Sequence, residues 1–473
     1  MNNRLIFKIL VLAFVCRGLY FIGVSKTNLF KTPDKSISVV YQREAYLYAW
    51  GYGFSQTIPG SAAYKDVEMK RDSVNMGEAL THPLISSNGL YPTSHYPPGW
   101  AVTGAFLYNM LQVPIVDLMT ILSILFDLVA LYFFIRLLSF FFPSKFVFWC
   151  AILYSVFPPL LFLQTIGAAD SFMPGFIILI SYFFFYSEKS AKRNKFLYWA
   201  LIGILTGISA LFRSDYFLFS FFLSLLPWLK QKQIIYFLKY NFTVGIIAVI
   251  ILLPWALRNK NLYGRLNFTS TSLGGTLVTG LATFQNPWKL GPSDFDRGNE
   301  ALQAGINTPF EENGNEFFLS KYKMYVKENP RYFWKAVLYR TLYFVLAPYD
   351  WGVAKDKKFS FTEIRNKGNI ISRFGLIVKE KFFNFLSVVF SLISFISLLM
   401  LLIKPVKIKE FRNFAVLTVG YVYLSHVFIH MTANYTLPII CIQIPLFVLG
   451  VLFIFPKRKY ERIIYQNFYD QPA

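Results

Sequence analysis

The sequence is poor in charge and poorer still in acid. Only 15% of its 473 residues are Asp, Glu, Lys or Arg, against about 25% in an ordinary soluble chain. Lys and Arg outnumber Asp and Glu by 47 to 25. Histidine occurs 4 times and cysteine 3 times, the cysteines being Cys16, Cys150 and Cys441. These three stand far apart inside apolar runs, so they imply neither a disulfide framework nor a C-x-x-C metal knuckle. There is no internal repeat, heptad or low-complexity tract. Nor does a convincing small-residue cleavage site follow the first apolar stretch. Arg4 and Lys8 precede that stretch and Arg17 interrupts it. Residues 5–24 are therefore expected to be a retained first span with its N-terminus in the cytoplasm.

What the chain has in abundance is apolar surface: 55% hydrophobic residues and 19% aromatic ones. Runs of roughly 20 apolar residues are long enough to cross a bilayer. The expected fold is an all-α polytopic membrane protein with about ten spans: 5–24, 115–141, 146–164, 171–187, 197–212, 216–229, 241–257, 382–403, 413–430 and 436–456. The net charge of +22 does not point to nucleic acid, because the basic residues gather in short loops between apolar runs. With the N-terminus inside, every inside loop is basic. These loops hold Lys145; Lys189, Lys192, Arg193 and Lys195; Lys230, Lys232 and Lys239; Lys404, Lys407, Lys409 and Arg412; and Lys457, Arg458, Lys459 and Arg462. The outside turns near 165–170, 213–215 and 431–435 carry little charge. That asymmetry is the positive-inside bias.

The chain then reads as one integral membrane domain over 1–473. A first outer loop covers 25–114, spans follow over 115–257, and a second outer loop covers 258–381. The last spans occupy 382–456, and a cytoplasmic tail covers 457–473. Outer loops of this length are usually functional or disordered, and their Trp, Tyr, Phe, Gly and Pro favour order. Two short apolar stretches, 99–113 and 336–348, are expected to lie on the membrane surface rather than cross it. Counting 336–348 as a span would also put the later basic loops outside.

Carboxylates near the spans are few, so those present are informative. Glu44 sits in "REAYLYAWG" beside Arg43 and a comb of aromatics that includes Tyr46 and Tyr48. Asp170 sits in "QTIGAADSFMPGF", and Asp215 follows Arg213 in "LFRSDYF". The topology puts all three carboxylates at the outer face, where they form a plausible cluster. Charged groups at membrane depth are costly and are usually paired or functional; the plain alternative for each is a hydrated interfacial charge. "YPTSHYPPGWAVTG" reads as a rigid turn carrying His95 and Tyr96. His95 is either structural or an acid, base or phosphate donor. In "LLPWALRNKNLYGRLNFTSTSLGGTLVTG", Arg258 stands at headgroup level and is suited to a phosphate, whether of a substrate or of a lipid. Gly274 and Gly275 there permit close backbone approach or make a plain turn.

Taken in order, these residues resemble the bacterial GT-C glycosyltransferases that use polyprenyl-phosphate sugars, whose relatives include the aminoarabinose lipid A transferases and the protein O-mannosyltransferases. The matching elements are Arg17 late in the first span, "REAYLYAWG" opening the first outer loop, and Pro97 to Gly99 before an interfacial helix. Further on come Asp170, "LFRSDY", the "PW-x-x-RN" stretch with its later "GG", and "NYTLPII" with Tyr435 before the last span. The chain departs from the family pattern twice. Arg43 stands where the family's loop usually opens with Asp, and Asn434 stands where Arg is usual.

The resemblance implies a GT-C-like bundle whose two outer loops carry interfacial helices. It implies an inverting enzyme that moves a sugar from a polyprenyl-phosphate donor to a hydroxyl of a lipid, protein or polysaccharide at the outer face of a bacterial inner membrane. Glu44 and Asp170 would be catalytic, and Arg258, Arg213 and Arg17 would hold the donor phosphate. Arg43, Tyr46, Tyr48, His95, Tyr96, Asp215, Gly274, Gly275 and Tyr435 would line the substrate site. No cofactor is required by the pattern; a divalent metal is possible but no ligand cluster indicates one. Two alternatives stay open: a transporter or flippase of lipid-linked sugars, and a non-catalytic GT-C-like assembly protein.

Overall fold

A computed structural model describes residues 1–26, 36–57, 90–165, 167–231, 233–282, 286–291, 294–306, 312–346, 370–403, 408–430 and 437–454. These residues form helices almost throughout. In chain order they are α1 (Asn3–Lys26), α2 (Ser36–Ala49), α3 (Gly99–Leu111), α4 (Ile115–Leu138), α5 (Ser144–Val156), α6 (Pro158–Thr165), α7 (Met173–Lys189), α8 (Lys192–Phe212), α9 (Phe219–Leu223), α10 (Leu225–Gln231), α11 (Ile234–Tyr263), α12 (Leu273–Ala282), α13 (Asp294–Gln303), α14 (Glu312–Glu328), α15 (Pro330–Leu346), α16 (Ile370–Ile403), α17 (Lys409–Val427) and α18 (Ile440–Ile454). A two-stranded antiparallel ribbon joins β1 (Ser55–Thr57) to β2 (Leu90–Pro92), pairing Ser55 with Pro92 and Thr57 with Leu90.

Among the described residues, 7 helices are long and apolar enough to cross a membrane, and α5 with α6 makes an eighth if that bent pair is one span. The chain is a multi-pass membrane protein. The remaining two expected spans look different. The 216–229 region is broken into α9 and α10 after a tight turn at Ser214–Tyr216. The 413–430 region is the continuous helix α17, more polar than the others because it carries Lys409, Glu410, Arg412, Ser425 and His426. Helix α11 runs for 30 residues, about 45 Å at the usual rise, so it overshoots a hydrocarbon core of about 30 Å and carries its last turns out of it.

Three local features shape the bundle. The α5–α6 bend of 45° falls at Phe157 and the pair Pro158–Pro159. Proline has no N–H to continue the ladder and forces the preceding residue to be extended. Helices α8 and α11 approach closely because Gly203 and Gly207 face Ile247 and Ile251; a Cβ on either glycine would come within 2.8 Å and 2.7 Å of those isoleucines. This is the small-residue packing that membrane helices favour. A second core, built on Val278, Leu281, Ala301, Phe318, Tyr325, Tyr332 and Ala336, packs α12, α13, α14 and α15 together.

The two short apolar stretches form helices with one bare face each. In α3, Val102, Phe106 and Met110 are exposed while Trp100, Ala101, Ala105 and Tyr108 are buried. In α15, Trp334, Leu338, Leu342 and Leu346 are exposed while Arg340 is buried. The spacing of four places each exposed set on one stripe, as a helix lying in the interface requires. Residues 347 and 348 of the second stretch lie outside the described residues, as does the 457–473 tail.

Candidate active site

The turn 93–98 is the hub of the charged residues. The ribbon brings its start beside Phe54: the Thr93 N–H donates to the Phe54 carbonyl at 3.1 Å. Arg258, at the end of α11, then takes both strand ends. Its Nη1 donates to the Thr93 carbonyl and its Nη2 to the Phe54 carbonyl, each at 2.7 Å. Its guanidinium also lies over the rings of Trp255 and Phe54, 4.6 Å and 5.6 Å from their centroids. One residue on, Ser94 meets the 271 loop twice: its carbonyl accepts from the Thr271 N–H at 2.9 Å, and the two hydroxyls are 3.1 Å apart. Trp255 and Asn259 hold the same loop, donating to the carbonyls of Thr269 and Asn267.

The other end of the hub reaches Asp170 and Arg213. Trp100 Nε1 donates to the Gly167 carbonyl at 2.5 Å, three residues before Asp170. A Cβ on Gly99 would stand 2.7 Å from the Leu211 carbonyl, so α3 lies directly on the end of α8 from which Arg213 emerges. A Cβ on Gly104 of α3 would stand 3.7 Å from Ala45, next to Glu44. Glu44 is fully buried, at 0% exposure, and its charge is within electrostatic reach of Arg258. Two sets of contacts thus flank the turn: Arg258 with Phe54 and Thr93 on one side, and Asp170 with Arg213 on the other.

Arg213 is the centre of a compact ion cluster. Its Nη1 pairs with Asp170 Oδ1, while Nε and Nη2 grip the two oxygens of Asp215, each at 3.1 Å. His426 of α17 places Nε2 2.8 Å from Asp215 Oδ2, and the Tyr421 hydroxyl donates to the Asp215 carbonyl. Burial alone would raise the Asp215 pKa, but Arg213 and His426 override it and hold this carboxyl well below the usual carboxylate range.

The structure redistributes the expected roles. Arg17 stays with α1 deep in the bundle, 1% exposed and ion-paired to Asp127. Tyr154 donates to the other Asp127 oxygen at 2.7 Å, and Arg17 Nη1 donates to the carbonyls of Ala13 and Ser155. The Ser155 carbonyl is the one that Pro159 cannot bond, so Arg17 caps the helix break. Arg213 is committed to two carboxylates, whereas no described carboxylate lies within ion-pair distance of Arg258. Asp127 and His426 were not among the candidates. Their signals were present, an acid inside one span and a histidine near the end of another, each needing a partner at membrane depth.

The aromatic comb does not form one surface. Residues 36–49 are helical, so side chains two apart point to nearly opposite sides. Tyr46 is buried against Trp50 and Tyr108, its hydroxyl accepting from the Ile115 N–H, while Tyr48 is 44% exposed. Arg43 is buried beside Glu44 on the same helix. His95 is buried with Tyr96 against its ring at 4.1 Å, and Tyr96 stacks near Tyr41 at 4.6 Å. Gly274 is needed for packing: a Cβ there would stand 2.4 Å from the Asn315 carbonyl. Gly275 has open space beside it. Tyr435 and Asn434 lie outside the described residues. Among the described residues, no three His, Cys, Asp or Glu side chains are grouped to hold a metal ion.

These features define a class, an all-helical multi-pass membrane protein with a knot of buried charges at one end of its bundle. Among solved structures, the chain is similar to ArnT from Cupriavidus metallidurans bound to undecaprenyl phosphate, with 11% identity and a TM-score of 0.39 over 96% of this chain and 78% of that one. It is also similar to the apo state of the same ArnT, with 12% identity and a TM-score of 0.33 over 87% and 76%. At such identities the likeness assigns no residue a role. No family model matches the sequence, and no curated protein matches it.

Proposed function

We propose that the chain is an inverting glycosyltransferase of the GT-C type, moving a sugar from a polyprenyl-phosphate donor to an acceptor hydroxyl at the outer face of a bacterial inner membrane. The observations that support this are the pairing of Asp170 with Arg213 and the seat of Arg258 on the carbonyls of Phe54 and Thr93, with Glu44 buried and within electrostatic reach of Arg258. The order of the sequence motifs supports the donor class. The phosphate of the donor would sit against Arg258, whose charge meets no described carboxylate at ion-pair distance and whose neighbours are carbonyls and aromatic faces. Arg213, balanced by two carboxylates, would shape the site instead of binding phosphate.

In the proposed step the acceptor oxygen attacks the anomeric carbon from the face opposite the phosphate. Its proton passes to the Glu44 carboxylate as general base. The bond from the anomeric carbon to the phosphate oxygen breaks, and the polyprenyl phosphate leaves with its added negative charge facing Arg258. A single displacement inverts the anomeric centre. Asp170 is the second candidate for the base; Arg213 already engages one of its oxygens.

A transporter would also place charges and a broken helix inside the membrane, and the chain has both in Arg17–Asp127 and the α5–α6 bend. Here those groups satisfy one another: the ion pair is closed by Tyr154, and the free carbonyl at the bend is capped by Arg17. They leave a self-contained brace, which favours chemistry at the surface over passage through the bundle.

The test is transfer of radiolabelled sugar from a panel of polyprenyl-phosphate sugars in membranes holding the wild type, Glu44→Gln or Asp170→Asn. The expected result is transfer by the wild type and a loss of about 10²-fold or more in Glu44→Gln, in the range for a general base. Full activity in Glu44→Gln with none in Asp170→Asn would move the base to Asp170. No transfer from any donor by the wild type would end the proposal.

A further inference from the structure

Helix α17 touches two regions that lie far apart in the chain, and it does so with opposite faces. Tyr421 and Tyr423 are two positions apart, which turns their side chains to nearly opposite sides of a helix. The Tyr421 hydroxyl donates to the Asp215 carbonyl, and its ring packs on Phe219 and Phe222 at 5.6 Å and 5.0 Å. The Tyr423 hydroxyl lies 3.0 Å from that of Thr341 on α15, and its ring meets Phe344 of the same helix at 5.4 Å. One helix thus stands between α15 and the turn that carries Arg213 and Asp215.

The end of α17 is held more firmly still. The Ile429 N–H donates to the His426 carbonyl at 3.2 Å, which keeps Ile429 in the closing turn of the helix. The Ile429 carbonyl accepts from Arg340 Nη1 at 2.7 Å. Arg340 is 1% exposed, and its Nε donates to the Ala336 carbonyl of its own helix at 3.2 Å. A cation suits this place, because the last carbonyls of a helix lack partners within it and carry partial negative charge. Gly280 of α12 lies against the same carbonyl: a Cβ there would run into the Ile429 oxygen and stand 3.2 Å from Arg340 Nη1. Both α12 and α15 belong to the second core, so that core holds one carbonyl at the end of α17 without slack.

At its other contact α17 meets a turn that holds itself weakly. The N–H groups of Tyr216 and Phe217 donate to the carbonyls of Arg213 and Ser214 at 3.3 Å each, longer than the usual N–H···O bond. The place of Asp215 therefore depends on support from outside the turn, and Tyr421 bonds it there. Asp215 in turn takes Nε and Nη2 of Arg213, whose Nη1 pairs with Asp170.

We propose that α17 is a strut and that Arg340 is a positioning residue for the candidate active site. By fixing the end of α17, Arg340 sets where Tyr421 meets the Asp215 carbonyl. Through Asp215 it sets the angle at which Arg213 holds Asp170. The kinetic consequence rests on the glycosyltransferase reading, but the strut is a property of the folded chain alone. A local role for Arg340, confined to closing the contact between α15 and α17, would leave the 213–217 turn unchanged.

Hydrogen exchange read by mass spectrometry, on protein in nanodiscs, tests the strut without any turnover. In Arg340→Met the amides of 426–430 lose their anchor, and those of 214–218 are expected to exchange about threefold or more faster because the turn opens more often. Faster exchange at 426–430 with no change at 214–218 would overturn the proposal. Tyr421→Phe keeps the ring and removes only the hydroxyl, so it is expected to speed exchange at 214–218 and to leave 426–430 as in the wild type. Wild-type exchange at 214–218 in Tyr421→Phe would also overturn the proposal. Should Arg340→Met fail to fold, Arg340→Lys makes the same comparison, since it keeps the charge but cannot span two carbonyls. Kinetics gives a second reading. Arg340→Met and Tyr421→Phe are each expected to lower kcat about tenfold with donor KM within about twofold, since Arg258 is untouched. The double variant is expected to be no slower than the slower single one, because both break one linkage. Losses that multiply in the double variant would contradict the strut. Absence of any wild-type turnover strikes the glycosyltransferase proposal, while the exchange result still decides the strut.

Discussion

Arg258 and Asp215 show two ways in which a buried charge is held. Arg258 sits among carbonyls and aromatic rings, a setting that orients a guanidinium without neutralising it. Asp215 has the reverse problem, a buried carboxylate that must be neutralised, and Arg213 with His426 supplies that. The sign of its linkage follows. Because its folded pKa lies below the unfolded value of about 3.9, the stability it adds is complete above that pH and is lost as pH falls towards the folded value. Asp215→Asn should therefore be less stable than wild type near neutrality, and the gap in thermal midpoint should hold down to about pH 4 and narrow as pH falls from about 4 to about 2. Intrinsic fluorescence melts in detergent would measure it. A gap that stays constant over that range would show that Asp215 is not the titrating group. Of these two residues, the arginine was legible in the sequence because Trp255 and Pro254 mark the end of a span. The neutralising partner was not legible, because His426 is 211 positions from Asp215 and only packing brings α17 to the turn.

Among the elements, the bend between α5 and α6 and the seat of α3 carry the argument. Two prolines break the span, and the Arg17–Asp127 pair with Tyr154 holds the break closed. Removing one member of a buried pair strands a charge, at a cost of about 3–5 kcal/mol, whereas replacing both by apolar residues of similar size is often close to neutral. Arg17→Ala is thus expected to lower the thermal midpoint sharply. The double variant Arg17→Met with Asp127→Leu should regain most of the stability and keep transferase activity. A stable double variant that is inactive would return Arg17 to the phosphate site. The seat of α3 is as tight: Gly99 leaves no room for a methyl group between α3 and the Leu211 carbonyl. Gly99→Ala should cost about 1–3 kcal/mol and reduce activity beyond that loss, by tilting the turn that Arg258 holds; unchanged stability and activity would contradict the close seat. The helical character of the two short apolar stretches followed from their composition and length. The failure of the aromatic comb had a local cause: a spacing of two makes one face in a strand, but residues 36–49 are a helix.

For the whole molecule, the charge asymmetry of the loops and the lengths of the apolar runs were enough to lay out most of the bundle, because hydrophobic spans and basic loops are encoded locally. What joins the ends of the bundle into a site is not local. Phe54 and Thr93 meet through a three-residue ribbon, and Arg258 reaches both across more than 160 positions. Asp170 and Arg213 meet from different helices, and α17 closes the cluster from near the C-terminus. Asp127 stays with Arg17 deep in the bundle, while Asp170 and Asp215 meet Arg213 at the end of α8.

The most direct measurement uses purified protein in liposomes loaded with a polyprenyl-phosphate sugar and an envelope glycolipid acceptor, followed by mass spectrometry and NMR of the product. The expected result is free polyprenyl phosphate appearing in equal amount to a glycosylated acceptor, with the anomeric configuration inverted and both lost in Glu44→Gln. Donor moved across the bilayer intact, with no polyprenyl phosphate released, would contradict the account.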